Sequence, residues 1–209
     1  MYQLYWSEDS GVLAPQIILE EIGAKYERII LDLEEGDEEK SEFLAVNPRG
    51  QVPALIKPDG TIITESAAIC LHLSDCYPEA GLMPAADSSS RAIAYRWLFF
   101  AASNLYEGVL RLYYSDRFTA DAGHVESVQK SARDFIDYSW SLIENELGEG
   151  PYLLGAEYSL VDPYLLMLTN WHEQPDVLFD KNPKLRSLCE AVRSRAAVER
   201  IWSQHFPVE

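Results

Sequence analysis

The spacing of apolar and polar residues changes character partway along the chain. Up to about residue 80, short runs suited to strands alternate with runs of helical period. Residues 2–6, Tyr-Gln-Leu-Tyr-Trp, form an aromatic-rich run that predicts a strand. Over residues 13–24 the apolar residues Leu13, Ile17, Ile18 and Ile22 recur at helical spacing, with Glu20 and Glu21 on the other side and Gly23 marking the end. Residues 26–33 predict a second strand, and the acidic stretch 34–42 is expected at the surface. Residues 52–56 and 61–64 flank Lys57-Pro58-Asp59-Gly60, whose turn chemistry predicts a hairpin, and residues 66–76 predict a helix carrying Ala68, Ile69, Leu71 and Leu73. The order β-α-β-(irregular)-β-β-α implies a small mixed sheet covered by helices, that of a thioredoxin-like α/β domain.

Beyond Tyr77-Pro78-Glu79-Ala80-Gly81 the strand signals vanish. Prolines, a glycine and the serine run Ser88-Ser89-Ser90 read as a linker. Helical periods then occupy 90–114, 125–147, 159–171 and 184–193, with a short one at 198–206. The domain expectation is a thioredoxin-like domain over 1–80, a linker over 81–89 and an all-α helical bundle over 90–209.

Composition narrows the function classes. In a chain of 209 residues, 17 basic against 34 acidic residues give a net charge of −17, a field that opposes nonspecific association with nucleic acid or anionic lipid. No apolar run approaches the roughly 18–20 residues needed to span a bilayer, and the N-terminus lacks the features of a signal peptide. Cys70, Cys76 and Cys189 form no Cys-x-x-Cys pair, and His72, His124, His172 and His205 are scattered. Neither a disulfide framework nor a metal site is expected, a dithiol oxidoreductase is disfavoured, and a reducing cytoplasm fits best.

Two places carry a local chemical logic. At Val52-Pro53 the prolyl bond makes a cis peptide inexpensive, although a proline can equally start an edge strand. At Glu65-Ser66 a helix begins, where unpaired backbone N–H groups and the positive dipole end favour an anion and where Ser66 can also cap the helix.

Four patterns in order bring in a family. They are Ser7-Glu8-Asp9-Ser10-Gly11, then Asn47-Pro48-Arg49-Gly50-Gln51-Val52-Pro53-Ala54-Leu55, then Glu65-Ser66, then Tyr152-Leu153-Leu154-Gly155 with Tyr158-Ser159-Leu160-Val161-Asp162 close behind. Together they resemble the cytosolic glutathione transferases over nearly the whole chain. Around residues 7–15 the likeness is to the bacterial beta class, with one departure: aligned on Ala14-Pro15, Gly11 stands where that class has a cysteine, so a mixed disulfide there is not available.

The resemblance implies that glutathione is a co-substrate, with no other cofactor and no metal. It implies a cis Val52-Pro53 bond that lets Val52 pair with the tripeptide backbone, a Gln51 side chain that reaches a ligand carboxylate, and Glu65 and Ser66 holding the γ-glutamyl ammonium and carboxylate. The thiol has an ordinary pKa near 8.5, and lowering it by about two units takes about 2.7 kcal/mol of preferential thiolate stabilisation. Ser10 is the leading hydroxyl donor, with an N-cap as its other role; Tyr5 is second and Ser7 third. Tyr106, Tyr113 and Tyr114 are candidates for an electrophile pocket, each with aromatic core packing as the alternative. Ser159 and Asp162 have capping-box spacing and are read as structural. The implied activity is transfer of glutathione sulfur to small hydrophobic electrophiles, a detoxification reaction, by a cytoplasmic homodimer. The alternative is a non-catalytic glutathione-binding or scaffold protein of the same fold.

Overall fold

A computed structural model describes residues 1–207. They fall into two compact units, residues 1–83 joined by the C-terminal segment from Val192, and residues 84–191.

In the first unit β1 (Tyr2–Trp6), β2 (Tyr26–Ile30), β3 (Ala54–Ile56) and β4 (Ile62–Thr64) form one sheet in the order β2-β1-β3-β4. β1 and β2 are parallel across α1 (Leu13–Glu21), while β3 runs antiparallel to both β1 and β4. This is the thioredoxin-like arrangement that the order of periods implied. The hairpin turns as its residues dictate: Gly60 takes φ +85°, and the Thr61 N–H donates to Asp59 Oδ1 at 2.9 Å. Leu4, Leu13, Ile17, Ile18, Leu55, Ile69 and Leu73 are fully buried or nearly so, and α3 (Ser66–Cys76) packs against α1. A short helix α2 (Ser41–Leu44) interrupts the acidic stretch, anchored by buried Phe43.

The last helix lies elsewhere than the sequence suggests. α10 (Ala196–His205) is expected in the helical bundle, but it packs on α1 within the first unit. The reason is Gln16, a polar residue fully buried among the apolar residues of α1. Its Oε1 accepts from Trp6 Nε1 at 2.6 Å and from His205 Nε2 at 2.7 Å, and its Nε2 donates to the Tyr26 hydroxyl at 3.0 Å and to Gln204 Oε1 at 2.9 Å. Every hydrogen-bonding position of the amide is used, so burying it carries little penalty, whereas an unpartnered amide would cost several kcal/mol. Two ion pairs reinforce the seam, Arg195 to Glu21 through two hydrogen bonds and Arg200 to Glu20 at 2.9 Å. Periodicity sees α10 as one more helix; only the partners of Gln16 say where it docks.

The second unit is all helical. It comprises α4 (Ser89–Phe100), a π-helical turn (Ala101–Leu105), α5 (Tyr106–Tyr113), α6 (Val125–Glu146), α7 (Val161–Thr169), α8 (Pro175–Lys181) and α9 (Pro183–Arg193). The single helix predicted over 90–114 is therefore interrupted by a π turn. Helix α8 is not among the predicted helical periods, and Pro175 supplies its first position. α5 and α6 approach so closely that a Cβ on Gly108 would sit 2.9 Å from Ile136 Cγ1. Asp162 closes the start of α7. Its carboxylate, fully buried, accepts from Leu153 N–H at 2.8 Å, Ser159 N–H at 2.7 Å and the Ser159 hydroxyl at 3.2 Å. Half of the expected box is present: the aspartate reaches back to the Ser159 N–H, while the Ser159 hydroxyl donates to the carboxylate instead of accepting from a helix N–H.

These buried polar groups make two effects measurable. Asp162→Ala strands three donors at once and is expected to cost at least about 3 kcal/mol in urea unfolding. His205 Nδ1 is buried and has no hydrogen-bond partner among the described residues, and burial, helped by Arg28, pushes its pKa down to about 4. The neutral ring is therefore the folded form, and stability is lost as pH falls from about 6.5 toward 4, because the unfolded chain takes up the proton first. Asp162 acts in the opposite sense, since burial pushes its carboxyl up to about 6 and its protonation favours the fold. A variant isolates the histidine: between pH 7 and 4, the wild-type chain is expected to lose up to about 3 kcal/mol more than His205→Phe. Parallel pH profiles for the two would contradict it.

Candidate functional site

The strand register brings the sequence-predicted residues of the first unit to one end of the sheet. Ala54 pairs with Tyr5 on one side and Thr64 on the other. Continuing that register by one residue places Pro53 beside Glu65 at the edge of the hairpin, and both lie next to the residues that leave β1. The end of β1, the start of β3, the end of β4 and the N-terminus of α3 therefore share one rim.

The segment before β3 is held from beneath by Asn47. Only 4% exposed, it donates from Nδ2 to the Gln51 carbonyl at 2.6 Å and accepts at Oδ1 from the Arg49 N–H at 3.2 Å. Gly50 has φ +60°, and a Cβ there would stand 3.0 Å from the Glu38 carbonyl oxygen. The Val52-Pro53 bond is cis. Gln51 and Val52 are half-buried and outside the paired strand, which begins at Ala54 rather than at residue 52.

Glu65 stands at φ +66°, a left-handed conformation that only a few per cent of non-glycine residues adopt and that clusters at functional positions. Glu65, not Ser66, occupies the N-cap position of α3; Ser66 is the first helical residue and is buried. The Glu65 Oε1 atom meets Arg49 Nη1 at 2.8 Å, linking the two halves of the rim. Both partners are more than half exposed, so the pair adds little to stability. Its effect is to fix where the carboxylate points.

The loop after β1 differs from expectation. Ser10 does not cap α1: Val12 holds that position, and α1 starts at Leu13 with no side-chain cap. The Ser10 hydroxyl donates instead to the Ser7 carbonyl at 2.8 Å, spending its one proton within the loop. Asp9 beside it takes φ +43°. Tyr5 is half-buried, its ring 5.1 Å from that of Phe43.

In the helical unit Tyr106 is half-buried, its ring edge-on to Trp171 at 5.1 Å. Tyr113 is exposed, and its hydroxyl donates to the Trp171 carbonyl at 3.0 Å. Tyr114 lies past the end of α5, with the Arg117 guanidinium 4.2 Å from its ring centre. Trp171 therefore meets Tyr106 with its ring and Tyr113 with its backbone carbonyl, while Tyr114 is separately engaged.

Sequence reasoning missed Trp171 and Asn47 as organising residues. Asn47 carried a signal, being the first residue of a run with a tight Pro-Arg-Gly turn; Trp171 carried none beyond helical period. Among the described residues no group of three or more His, Cys, Asp or Glu side chains is placed to hold a metal. Nor is any described helix long and apolar enough to cross a membrane. Burial pushes the Cys189 thiol up to about 12 and raises that of Cys70 as well, so neither supplies a thiolate near neutrality.

Known proteins match both units. The family description "Glutathione S-transferase, N-terminal domain" matches residues 3–75, and "Glutathione S-transferase, C-terminal domain" matches residues 104–196. Glutathione S-transferase GstA of Escherichia coli O157:H7 is 29% identical over 174 residues, 81% of each chain. Glutathione S-transferase Z2 of Arabidopsis thaliana is 32% identical over 168 residues, covering 77% of this chain and 71% of the relative. A crystal structure of a glutathione transferase homologue from Sulfitobacter with bound glutathione superposes with a TM-score of 0.90 at 27% identity, over 98% of each chain.

The loop geometry yields a prediction of its own. Asn47→Ala leaves the Gln51 carbonyl without its side-chain donor and is expected to cost about 1–2 kcal/mol in urea unfolding. Asn47→Asp, which keeps only the acceptor toward Arg49 N–H, should recover little of it.

Proposed function

The chain belongs to the glutathione S-transferase family, and from that premise we propose that it binds glutathione along the rim of its first unit and activates the thiol for attack on small hydrophobic electrophiles. The observation that carries the reading is the shared register of Val52-Pro53 and Glu65-Ser66, with the prolyl bond cis and the start of α3 beside it. Val52 is to pair through its backbone with the cysteinyl part of the tripeptide, as an added strand would. Ser66 donates to the γ-glutamyl carboxylate where the dipole of α3 favours an anion, and Glu65 accepts from the neighbouring ammonium. Gln51 donates to the carboxylate at the other end.

Bringing the ammonium to Glu65 means sharing or displacing Arg49, which already lies 2.8 Å from that carboxylate. In the chemical step the thiolate sulfur forms a bond to carbon as the leaving group departs with its electron pair, and the thiol proton passes to solvent. Ser10 or Tyr5 supplies the hydroxyl that favours the thiolate; for Ser10, that hydrogen must turn away from the Ser7 carbonyl. Tyr106, Tyr113 and Tyr114 form the electrophile surface, and Trp171 joins the first two.

A second reading is a glutathione-binding protein without turnover. The Ser10 hydroxyl favours it, because in this structure its proton is committed to the loop backbone.

Calorimetry and kinetics test both. Ser66→Ala removes one hydrogen bond to a charged group and is expected to weaken glutathione binding by roughly 10- to 100-fold. Ser10→Ala is expected to leave binding nearly intact while suppressing the ultraviolet absorbance of bound thiolate. Full binding by Ser66→Ala would remove the proposed head-group site. Unchanged thiolate absorbance in Ser10→Ala would pass the role to Tyr5, for which Tyr5→Phe is the matching test.

A further inference from the structure

We infer that Ser103 and Asn104 are positioning residues that set the angle at which α5 presents Tyr106; this rests on reading Tyr106 as part of the electrophile surface. The chain stays helical from Ser89 to Tyr113, but its hydrogen-bond register changes in the middle. Across Ala101–Leu105 the turn is π-helical, and the Tyr106 N–H donates to the Ala101 carbonyl, five residues back. Such a turn holds one residue more than an α turn, so the residues beyond it are displaced about the axis by about 100°.

Two polar side chains act at that point. Ser103 Oγ donates to the Phe99 carbonyl at 2.7 Å, and Asn104 Nδ2 donates to the Phe100 carbonyl at 3.1 Å and to Ser103 Oγ at 3.1 Å. Each reaches four residues back, to the carbonyl that its own backbone N–H would take in an α-helix. A side-chain donor at that carbonyl competes with the ladder bond, a known cause of helix bending. The neighbours Ala101 and Leu105 are fully buried, whereas Ser103 is exposed, so its hydroxyl fills no core volume; its contacts are with helix polar groups.

Downstream of the turn lie the features that depend on its phase. Tyr106 meets Trp171 edge-on, Gly108 fits against Ile136 where a Cβ would be 2.9 Å from Cγ1, and the Tyr113 hydroxyl reaches the Trp171 carbonyl. Rotation by one residue would break the first and last and bring a bulkier side chain against Ile136.

The test is the double variant Ser103→Ala/Asn104→Ala, in which both positions take the strongest helix former. Its crystal structure is expected to show the Tyr106 N–H bonded to the Ala102 carbonyl, four residues back. A retained bond to Ala101 would mean that packing alone imposes the π turn, and would overturn the inference with or without catalysis. In kinetics with a bulky aryl halide, the electrophile KM is expected to rise roughly fivefold, the scale of one lost aromatic contact, with the glutathione KM unchanged. Ser103→Thr, which keeps the hydroxyl, should behave as wild type. A lower melting temperature with an unchanged electrophile KM would show a merely structural role and overturn the inference. Tyr106→Ala separates the two levels: if it leaves the electrophile KM untouched, the assignment of Tyr106 itself fails and the inference fails with it.

Discussion

The pairing of Ala54 with Tyr5 on one side and Thr64 on the other is the constraint on which the candidate site depends. It puts the residues before β3, those after β4 and those after β1 on one rim, so segments far apart in sequence act as one surface. A slip of one residue would turn each β3 side chain to the opposite face of the sheet. The register is protected by fully buried Ala54 and Leu55, and by the turn at Gly60. Strain is kept to the rim itself, where Glu65 takes a left-handed conformation directly before α3.

Beneath that rim lies a second layer of order. Gln16 ties β1, β2, α1 and α10 together through one amide, and Asn47 ties the segment before β3 to itself. Both are buried polar side chains. The Gln16 amide uses all its hydrogen-bonding positions, and Asn47 uses one donor and one acceptor, each aimed at a single backbone partner, which makes them specific as well as stabilising. The rim thus carries exposed polar groups, such as Arg49 and Glu65, above a support of buried, hydrogen-bonded side chains.

Much of this is legible in the residues. Strand-helix alternation with a proline-glycine turn foretells the sheet, because turn chemistry is local. Val52-Pro53 alone leaves a cis bond and an edge-strand start equally open, and it is the family resemblance that singles out these positions. The hidden part is tertiary. The docking of α10 depends on partners of Gln16 that lie 188 and 189 residues away, a relation no periodicity encodes. The π turn escapes notice because Ser103 and Asn104 look like ordinary polar positions on a helix until their hydrogen bonds are seen. Serine favours a cap, which is why Ser10 reads as one, but the helix starts later, at Leu13, and the hydroxyl turns to Ser7 instead.

The most direct measurement of the central claim is a crystal structure of the protein grown with reduced glutathione. The account predicts the cysteinyl backbone paired with the Val52 backbone and the γ-glutamyl carboxylate within hydrogen-bond reach of the Ser66 hydroxyl. A tripeptide seated elsewhere, or one that leaves Val52 and Ser66 untouched at saturating concentration, would contradict it.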